Sequence, residues 1–188
     1  DGITGDTLTV NLVETTNNSG IFRNVGPGIS SAIGSATADA ILQTSDGSII
    51  QATYTDPDDG SDTSSDTATM AVTPSSSISR FTDSGGNDVG WYTIGANDIY
   101  VTIDDADENK DTAVQTISAV VASSTGDAET ITLQETGGNT GVFRSTSALA
   151  STKTTPGNPG NGSLEAWPLE AITVTYTDID DGSDVSND

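Results

Sequence analysis

The stretch YTDPDDGSD at residues 54–62 recurs as YTDIDDGSD at residues 176–184. Each copy follows an alternating apolar run, IIQATYT or AITVTYT, of the kind that forms a half-buried β-strand. Each copy therefore lies where a strand leaves a sheet. Because four carboxylates within seven residues repel one another, a cation among them would relieve the repulsion. The repeated stretch predicts a calcium loop at the end of a β-strand in each half of the chain.

Composition limits the classes of partner. The 188-residue chain carries a formal net charge of −23 and only five basic residues. A basic patch that could meet phosphates cannot be built from so few cations, which excludes nucleic-acid binding and disfavours anionic membrane surfaces. No apolar run reaches the length of about 18 residues that a membrane span needs, so we expect no membrane insertion. The length suits one large domain or two small ones.

The chain contains neither cysteine nor histidine. This excludes disulfides, the usual zinc, copper and haem ligands, and any histidine-dependent catalytic triad. An extracellular protein without disulfides needs another staple, and metal ions can be that staple. Paired carboxylates could serve a glycosidase, but such an enzyme needs a cleft lined by aromatic residues, and only 5% of this chain is aromatic. We therefore predict a protein that is not an enzyme and that works outside the cell or at its surface.

The two halves of the chain repeat one another. GDTLTVNLVETTNNSGIFRN at residues 5–24 matches GDAETITLQETGGNTGVFRS at residues 126–145 with an offset of 121, and the acidic loops match with an offset of 122. The shared pattern Glu-Thr-x-x-Asn-x-Gly-x-Phe-Arg predicts two strands around a turn. Glycine can take the positive φ that the turn needs, and the following phenylalanine is expected to pack into the core.

Period-2 alternation predicts an all-β protein made of antiparallel β-sandwiches. Ser, Thr, Gly, Asn and Asp dominate the composition, which favours strands joined by turns. Residues 75–86 are interpreted as a connector. We expect two units, at residues 1–96 and 97–188. Candidate strands are 7–13, 20–23, 38–43, 48–55, 67–73, 90–94, 98–103, 113–122, 129–134, 141–145 and 171–177.

The repeat is out of frame with the chain. An acidic block at 98–111 and a strand at 113–122 precede the second copy and have no counterpart before the first, whereas the strand at 67–73 has no counterpart after the second acidic loop. Two explanations stay open. The chain is a fragment of a long tandem array, or it is a subunit in which at least one sandwich is incomplete and is completed by a strand of a neighbouring subunit. We favour the subunit, because donor-strand complementation repairs such an edge and a head-to-tail contact builds a fibre.

IYVTIDDADEN at residues 99–109 and ETITLQETGGNTGVFRS at 129–145 together resemble a repeat of very large secreted and surface-anchored proteins of bacteria and archaea. In that family a strand ending in Asp-x-Asp-x-Asn is followed by a Glu-Thr-Gly-x-Asn-Thr-Gly-x-Phe turn. The resemblance covers residues 98–188 well and 1–66 in part, and the first copy lacks the Asp-x-Asp-x-Asn strand. The resemblance implies Ig-like β-sandwiches of adhesins, surface layers and extracellular fibres, stiffened by calcium.

Calcium binds six to eight oxygen ligands, and acids that alternate along a loop can turn several oxygens toward one point. The middle block is not an EF-hand, because Lys110 occupies the glycine position and Thr116 the position of the bidentate glutamate. The alternative for each acidic loop is a solvated turn. The predicted ligands of several Ca²⁺ ions are Asp56, Asp58, Asp59 and Asp62 in the first loop, Asp105, Asp107, Asn109 and Asp111 in the middle block, and Asp178, Asp180, Asp181 and Asp184 in the second loop.

Two glutamates occupy equivalent strand ends in the repeat. Glu14 and Glu135 could reach a metal site from the other side of the sandwich. Alternatively, each is a surface residue that pairs with the nearby Arg23 or Arg144. We include both glutamates among the candidate metal ligands.

The sequence predicts a structural subunit of an extracellular, calcium-stabilised, pilus-like filament or surface array. Its partners are expected to be copies of itself, joined by head-to-tail packing or by donor-strand exchange. The alternative is a calcium-dependent adhesin or carbohydrate-binding module of a large surface protein. Trp91 and Trp167 could form a sugar-binding platform there, or could instead pack in cores or between subunits. The sequence identifies no glycan or receptor.

Overall fold

A computed structural model describes residues 1–24, 28–96, 98–154 and 157–188 of the chain. Its regular elements are all β-strands, which confirms the all-β prediction. Across these ranges, the chain forms no helix with the length and hydrophobicity that a membrane span needs.

The chain divides into two compact units. The first comprises Asp1–Val72 with Lys110–Thr112, and the second comprises Thr73–Asn109 with Ala113–Asp188. The predicted division between residues 96 and 97 is therefore corrected, because residues 73–96 belong to the second unit; Asn97 itself lies outside the described residues. The reason is that residues 78–82, which we interpreted as part of a connector, form a strand in the sheet of the second unit.

The described residues of the first unit form three separate two-stranded sheets. Two of them are antiparallel, and the third is parallel. The antiparallel pairs are β1 (Leu12–Glu14) with β2 (Phe22–Asn24) and β5 (Ile49–Thr55) with β6 (Thr63–Thr69), and the parallel pair is β3 (Ser30–Ile33) with β4 (Ile41–Thr44).

In the second unit, the residues that the structure describes form a seven-stranded sheet and a two-stranded parallel pair. The large sheet consists of β7 (Ile78–Thr82), β8 (Tyr100–Asp104), β9 (Thr116–Ser123), β10 (Ala128–Glu135), β11 (Val142–Ser145), β14 (Ile172–Thr177) and β15 (Val185–Asn187). Its strand order is β15-β14-β9-β10-β11-β8-β7, and all of its pairings are antiparallel. The parallel pair is β12 (Ala150–Thr152) with β13 (Ser163–Glu165).

The core of the second unit follows the period of the strands. Successive side chains of a strand point to opposite faces, so alternate residues of β9 and β14 are buried. The buried faces of the strands meet in one apolar cluster, which therefore lies inside the curved seven-stranded sheet. Its members are Phe81, Ile99, Val101, Ile103, Ala119, Val121, Leu133, Phe143, Leu149, Leu164, Val174 and Tyr176.

The two end strands of this sheet lie side by side, so the sheet approaches a closed barrel. The Ser77 backbone N–H donates to Asp184 Oδ2 at 2.7 Å, and the Phe81 N–H donates to Asp188 Oδ2 at 2.8 Å. Carboxylates on either side of β15 thus satisfy backbone donors within and just before the edge strand β7. An edge covered in this way is protected from pairing with another chain.

Candidate metal centre

Asp105 follows directly after β8 and is buried at one end of the second unit. Its backbone N–H donates to the Gly141 carbonyl at 2.8 Å, which docks the end of β8 against the turn between β10 and β11. Gly141 has a φ of 61°, and a Cβ there would lie 2.9 Å from the Asp105 carbonyl oxygen. Both the positive φ and this close approach explain why the repeated turn carries glycine at this position.

The Asp105 carboxyl group has one satisfied and one unsatisfied oxygen. Tyr176 Oη donates to Oδ2 at 2.8 Å, whereas Oδ1 is buried and has no hydrogen-bond partner. A buried carboxylate oxygen without a partner is costly, because it has left water without replacing its hydrogen bonds. Asp105 Oδ1 is therefore an atom that a bound cation would satisfy.

Two further carboxylates converge on Asp105. One ligand oxygen from each of Asp105, Asp107 and Asp178 lies within 4.8 Å of the other two. Asp178, at the end of β14, is buried, and its Oδ1 accepts the Asp180 N–H at 2.7 Å. Asp107 is half-buried, and its Oδ1 accepts the Ser75 hydroxyl at 2.6 Å. We call these three aspartates the carboxylate cluster.

The donor atoms of the carboxylate cluster suit a hard cation. Oxygens bound to one such ion lie less than about 5 Å apart, so the separations of the three carboxylates are compatible with a single ion. All donors are oxygens, as hard cations prefer. The three carboxylates would supply part of the coordination shell.

Burial and the neighbouring carboxylates change the pKa values of the groups in the cluster. Burial, together with the adjacent Asp107 carboxyl, raises the pKa of Asp105 to about 7. Burial also acts to raise the pKa of Asp107, but its interactions with Asp105 and Ser75 outweigh it and lower that pKa. Burial and the bond to Asp105 raise the pKa of the Tyr176 phenol. Burial and the neighbouring carboxyls thus favour the protonated form of Asp105.

Arg80 forms its ion pairs outside the carboxylate cluster. It pairs with Asp104 at 2.7 Å and with Asp88 at 3.5 Å. The three clustered carboxylates, two of them buried, repel one another, and a bound metal ion would compensate their charge.

The other residues of the second predicted loop do not join the cluster. Asp181 Oδ1 accepts the Ser183 N–H at 3.0 Å, and the Ser183 hydroxyl bond lowers the pKa of Asp181. Asp184 binds the backbone N–H and hydroxyl of Ser77, and Asp180 is exposed. The loop therefore contributes one carboxylate to the cluster, while Asp181 and Asp184 bind neighbouring donors.

The middle block also divides. Asp105 and Asp107 enter the cluster, whereas Asn109 Nδ2 donates to Asn139 Oδ1 at 2.8 Å. Asp111 lies in the segment Lys110–Thr112, which belongs to the first unit. The structure thus joins parts of two stretches that the sequence analysis treated as separate sites.

The first acidic loop has the same turn but forms no carboxylate cluster among the described residues. Asp56 Oδ1 accepts the Asp58 N–H at 2.8 Å, as Asp178 accepts that of Asp180. Asp59 likewise accepts the Ser61 N–H at 3.0 Å, and Asp58, Asp59 and Asp62 are exposed. The first unit contains no strand ending in Asp-x-Asp within its described residues, so Asp56 lacks the carboxylates that Asp178 meets.

Glu14 and Glu135 end strands β1 and β10, and their carboxylates bind backbone groups of the turns that follow. Glu135 Oε1 accepts the Thr140 and Gly141 N–H groups at 2.6 and 2.9 Å. Glu14 Oε1 accepts the Gly20 N–H at 2.7 Å. Among the ion pairs of the described residues, neither glutamate pairs with Arg23 or Arg144, the alternative that we considered. Both glutamates thus cap the repeated turn, and their role as metal ligands stays a prediction.

The sequence analysis missed two parts of the centre. It treated Ser75 as connector, although the Ser75 hydroxyl holds Asp107. It assigned no role to Tyr176, whose hydroxyl donates to Asp105. The recurrence of tyrosine two residues before the first loop aspartate, at 54 and 176, was an available signal for the second of these contacts.

No protein-family model matches this chain, and no curated protein matches it.

Proposed function

We propose that this chain is a structural subunit of an extracellular, calcium-stabilised filament or surface array whose partners are copies of itself. The observation that carries the proposal is the carboxylate cluster, which brings the end of β8 to the loop after β14. An ion there would fix two strand ends that are distant in sequence. Such a cross-link stabilises the folded state in a chain that contains no cysteine.

The assembly part of the proposal draws on exposed apolar surface in the first unit. Leu12, Val13, Ile21, Phe22 and Ile49 are all largely exposed. Exposed apolar residues on two-stranded sheets with open edges favour association through strand addition or face packing. A contact of this kind between unlike surfaces of two copies does not close on itself and continues as a fibre.

Electron microscopy with matched calorimetry tests this function. Purified protein in excess calcium is expected to form regular fibres and to melt at a higher temperature than protein in chelator. Magnesium at the same ionic strength is the control for charge screening, because it keeps its waters and prefers strict octahedral sites. Separate particles and identical melting curves in calcium and chelator would contradict the proposal.

A calcium-dependent adhesin is the second candidate, and an aromatic groove in the second unit favours it. The groove encloses a cavity of about 690 Å³, lined by residues that include Trp91, Tyr92, Trp167 and Leu169. Trp91 is 77% exposed and Trp167 is 45% exposed, with Lys153 Nζ 5.2 Å from the Trp167 ring centroid. Exposed aromatic faces beside polar groups are suited to stacking against sugar rings.

Tryptophan fluorescence distinguishes the adhesin from the filament subunit. An adhesin is expected to show saturable quenching or enhancement with one class of glycan, and Trp167→Ala is expected to abolish it. Trp91→Ala provides a second, independent variant on the same groove. A flat response across a broad glycan panel would leave the filament as the sole candidate.

A further inference from the structure

The two units share local pairings but differ in what covers them. In the second unit Gln134 pairs with Arg144 across the β10–β11 turn, and in the first Val13 pairs with Arg23 across the β1–β2 turn. Both pairings keep the 121-residue offset of the sequence repeat. The glutamate that caps each turn also recurs. The first unit therefore has the local fold of part of the second.

Equivalent apolar residues are buried in one unit and exposed in the other. Leu133 and Phe143 are both 0% exposed, whereas their counterparts Leu12 and Phe22 are 46% and 57% exposed. Tyr176 is 2% exposed and its counterpart Tyr54 is 49% exposed. A side chain of this size loses about 1.5–3 kcal/mol of hydrophobic stabilisation when it is left in water. The first unit thus presents the core face of a sheet without its cover.

The second unit shows which strands provide that cover. β8 pairs with β11, where Ile103 lies opposite Phe143. β9 lies between β10 and β14, where Val121 lies opposite both Glu129 and Val174. The described residues of the first unit contain no counterpart of β7, β8 or β9.

The lengths of β1 and β10 also indicate that the first unit lacks a counterpart of β9 among its described residues. β10 has eight residues, and its first five pair with β9 alone. β1 has only three residues, all paired with β2. Residues 7–11, which we predicted to be part of this strand, correspond to the portion of β10 that depends on β9. The alternating sequence of residues 7–11 is thus that of a β-strand, but these residues have no counterpart of β9 to pair with in the described part of the first unit.

β6 and the loop before it carry side chains equivalent to those that bind the β7 segment in the second unit. In the second unit, Asp184 and Asp188 accept backbone N–H groups of the β7 segment, and the Ser186 hydroxyl lies 2.6 Å from that of Ser79. At the 122-residue offset, the first unit carries the same alternating side chains. They are all exposed: Asp62, Ser64 and Asp66.

We infer that the first unit is an acceptor for a polypeptide segment with the pattern of β7–β9, additional to the one within these 188 residues. Its β8-like strand pairs antiparallel with β2, its β9-like strand enters between β1 and β5, and its β7-like strand binds the β6 side chains. The described chain contains one set of covering strands, β7–β9, but two sets of strands that need such a cover, one in each unit. A second copy could donate its own set only by uncovering its second unit, so strand exchange between two copies leaves the deficit unchanged.

The donor segment also completes a metal centre. In the second unit, Asp105 and Asp107 at the end of β8 meet Asp178. A β8-like strand ending in Asp-x-Asp would bring the same two carboxylates to Asp56. Donor binding and calcium binding in the first unit are therefore coupled. This inference rests on the proposed function for its setting in an assembly, and the segment that it names is a partner additional to the copies of the chain.

The test adds the missing strands to the full chain. A second copy of residues 73–123 is joined through a short Gly/Ser linker to Asp1. Hydrogen exchange at residues 7–11 is expected to slow by about a hundredfold, toward the rate at 128–132, because those amides gain a strand partner. The control carries Val101→Asn, Ile103→Asn and Val121→Asn in the added copy only, and is expected to leave residues 7–11 as fast as in the parent. Equal exchange at residues 7–11 in the parent and the unmodified fusion, with β10 still protected, would overturn the inference.

Calcium titration of the same proteins separates the two parts of the inference. The fusion is expected to bind one more ion per chain than the parent. Asp105→Asn with Asp107→Asn in the added copy should remove that ion while leaving the new strand protection. If the fusion gains protection while the parent forms no fibres, the acceptor inference is supported and the proposed filament function is contradicted. If the parent forms fibres while the fusion gains no protection, the filament function is supported and the acceptor inference is contradicted.

Discussion

At the scale of single residues, the same amino acid has different roles in the two halves of the repeat. Asp178 is buried in the carboxylate cluster, whereas its counterpart Asp56 caps only its own loop. The difference lies in the neighbours, because Asp178 meets Asp105 and Asp107. A pair of identical substitutions in the two halves therefore separates the effect of the metal centre from the effect of the loop.

Asp178→Asn should weaken calcium-dependent stability, and Asp56→Asn should not. An ion present at a hundredfold excess over its Kd stabilises the protein by about 2.7 kcal/mol, and most of this increment is expected to be lost when one carboxylate charge is removed. In chelator, Asp178→Asn should instead be neutral or stabilising, because repulsion in the cluster falls. Thermal unfolding of the wild type and both variants, each with calcium and with chelator, measures these effects. An equal loss in both variants would assign the effect to the turn and not to an ion.

The repeated glutamates give a second matched pair. Glu135 is buried and accepts two backbone N–H groups, so Glu135→Ala should cost about 2–3 kcal/mol by leaving those donors unsatisfied. Glu14→Ala removes one bond in an exposed turn and should cost about 0.5–1 kcal/mol. Urea denaturation with calcium present measures both values. If the Glu135 variant loses bound calcium as well as stability, Glu135 contributes to calcium binding in addition to capping the turn.

At the scale of elements, the edge strand β7 is held by side chains on the far end of the sheet. Asp184→Ala should release the Ser77 amide and destabilise the second unit by about 1–3 kcal/mol, because a partly buried, charge-assisted hydrogen bond is lost. Asp62→Ala, at the equivalent exposed position, should change stability by less than about 0.5 kcal/mol. Hydrogen exchange at Ser77 and chemical denaturation provide the two measurements. Unchanged Ser77 exchange in Asp184→Ala would show that this carboxylate does not hold the edge.

Sequence patterns predicted the well-covered strands closely and the edge strands poorly. The prediction at 171–177 agrees with β14, and that at 129–134 agrees with β10, because strong alternation and burial coincide there. The strand at 78–82 was missed, since Ile78 is exposed and the serines around it resemble a linker. The segment at 90–94 was predicted as a strand but forms none, although its aromatic residues line the groove.

The metal centre was only half predictable, because its geometry depends on contacts distant in sequence. Acidic spacing identified both contributing stretches, but only the packing of β8 near β14 brings Asp105 to Asp178. No local pattern specifies that approach. The exposed state of the first loop follows from the same fact, since its sequence repeats that of the second loop while its strand neighbours are missing.

At the scale of the whole molecule, calcium dependence should be confined to one unit. Chelation is expected to accelerate hydrogen exchange in β8, β10 and β14, because the ion links strand ends in the second unit. Exchange in β5 and β6 of the first unit should not change. The measurement compares both regions in one sample at constant ionic strength. A uniform change in both units would indicate general charge screening across a chain of net charge −23.

The hydroxyl of Tyr176 gives the protein its own spectroscopic indicator. The phenol donates to Asp105 Oδ2, so the electronic environment of the ring depends on whether a proton or a divalent ion occupies the space beside that carboxylate. Near-ultraviolet circular dichroism can therefore follow ion occupancy with no added dye, and Tyr176→Phe supplies the blank.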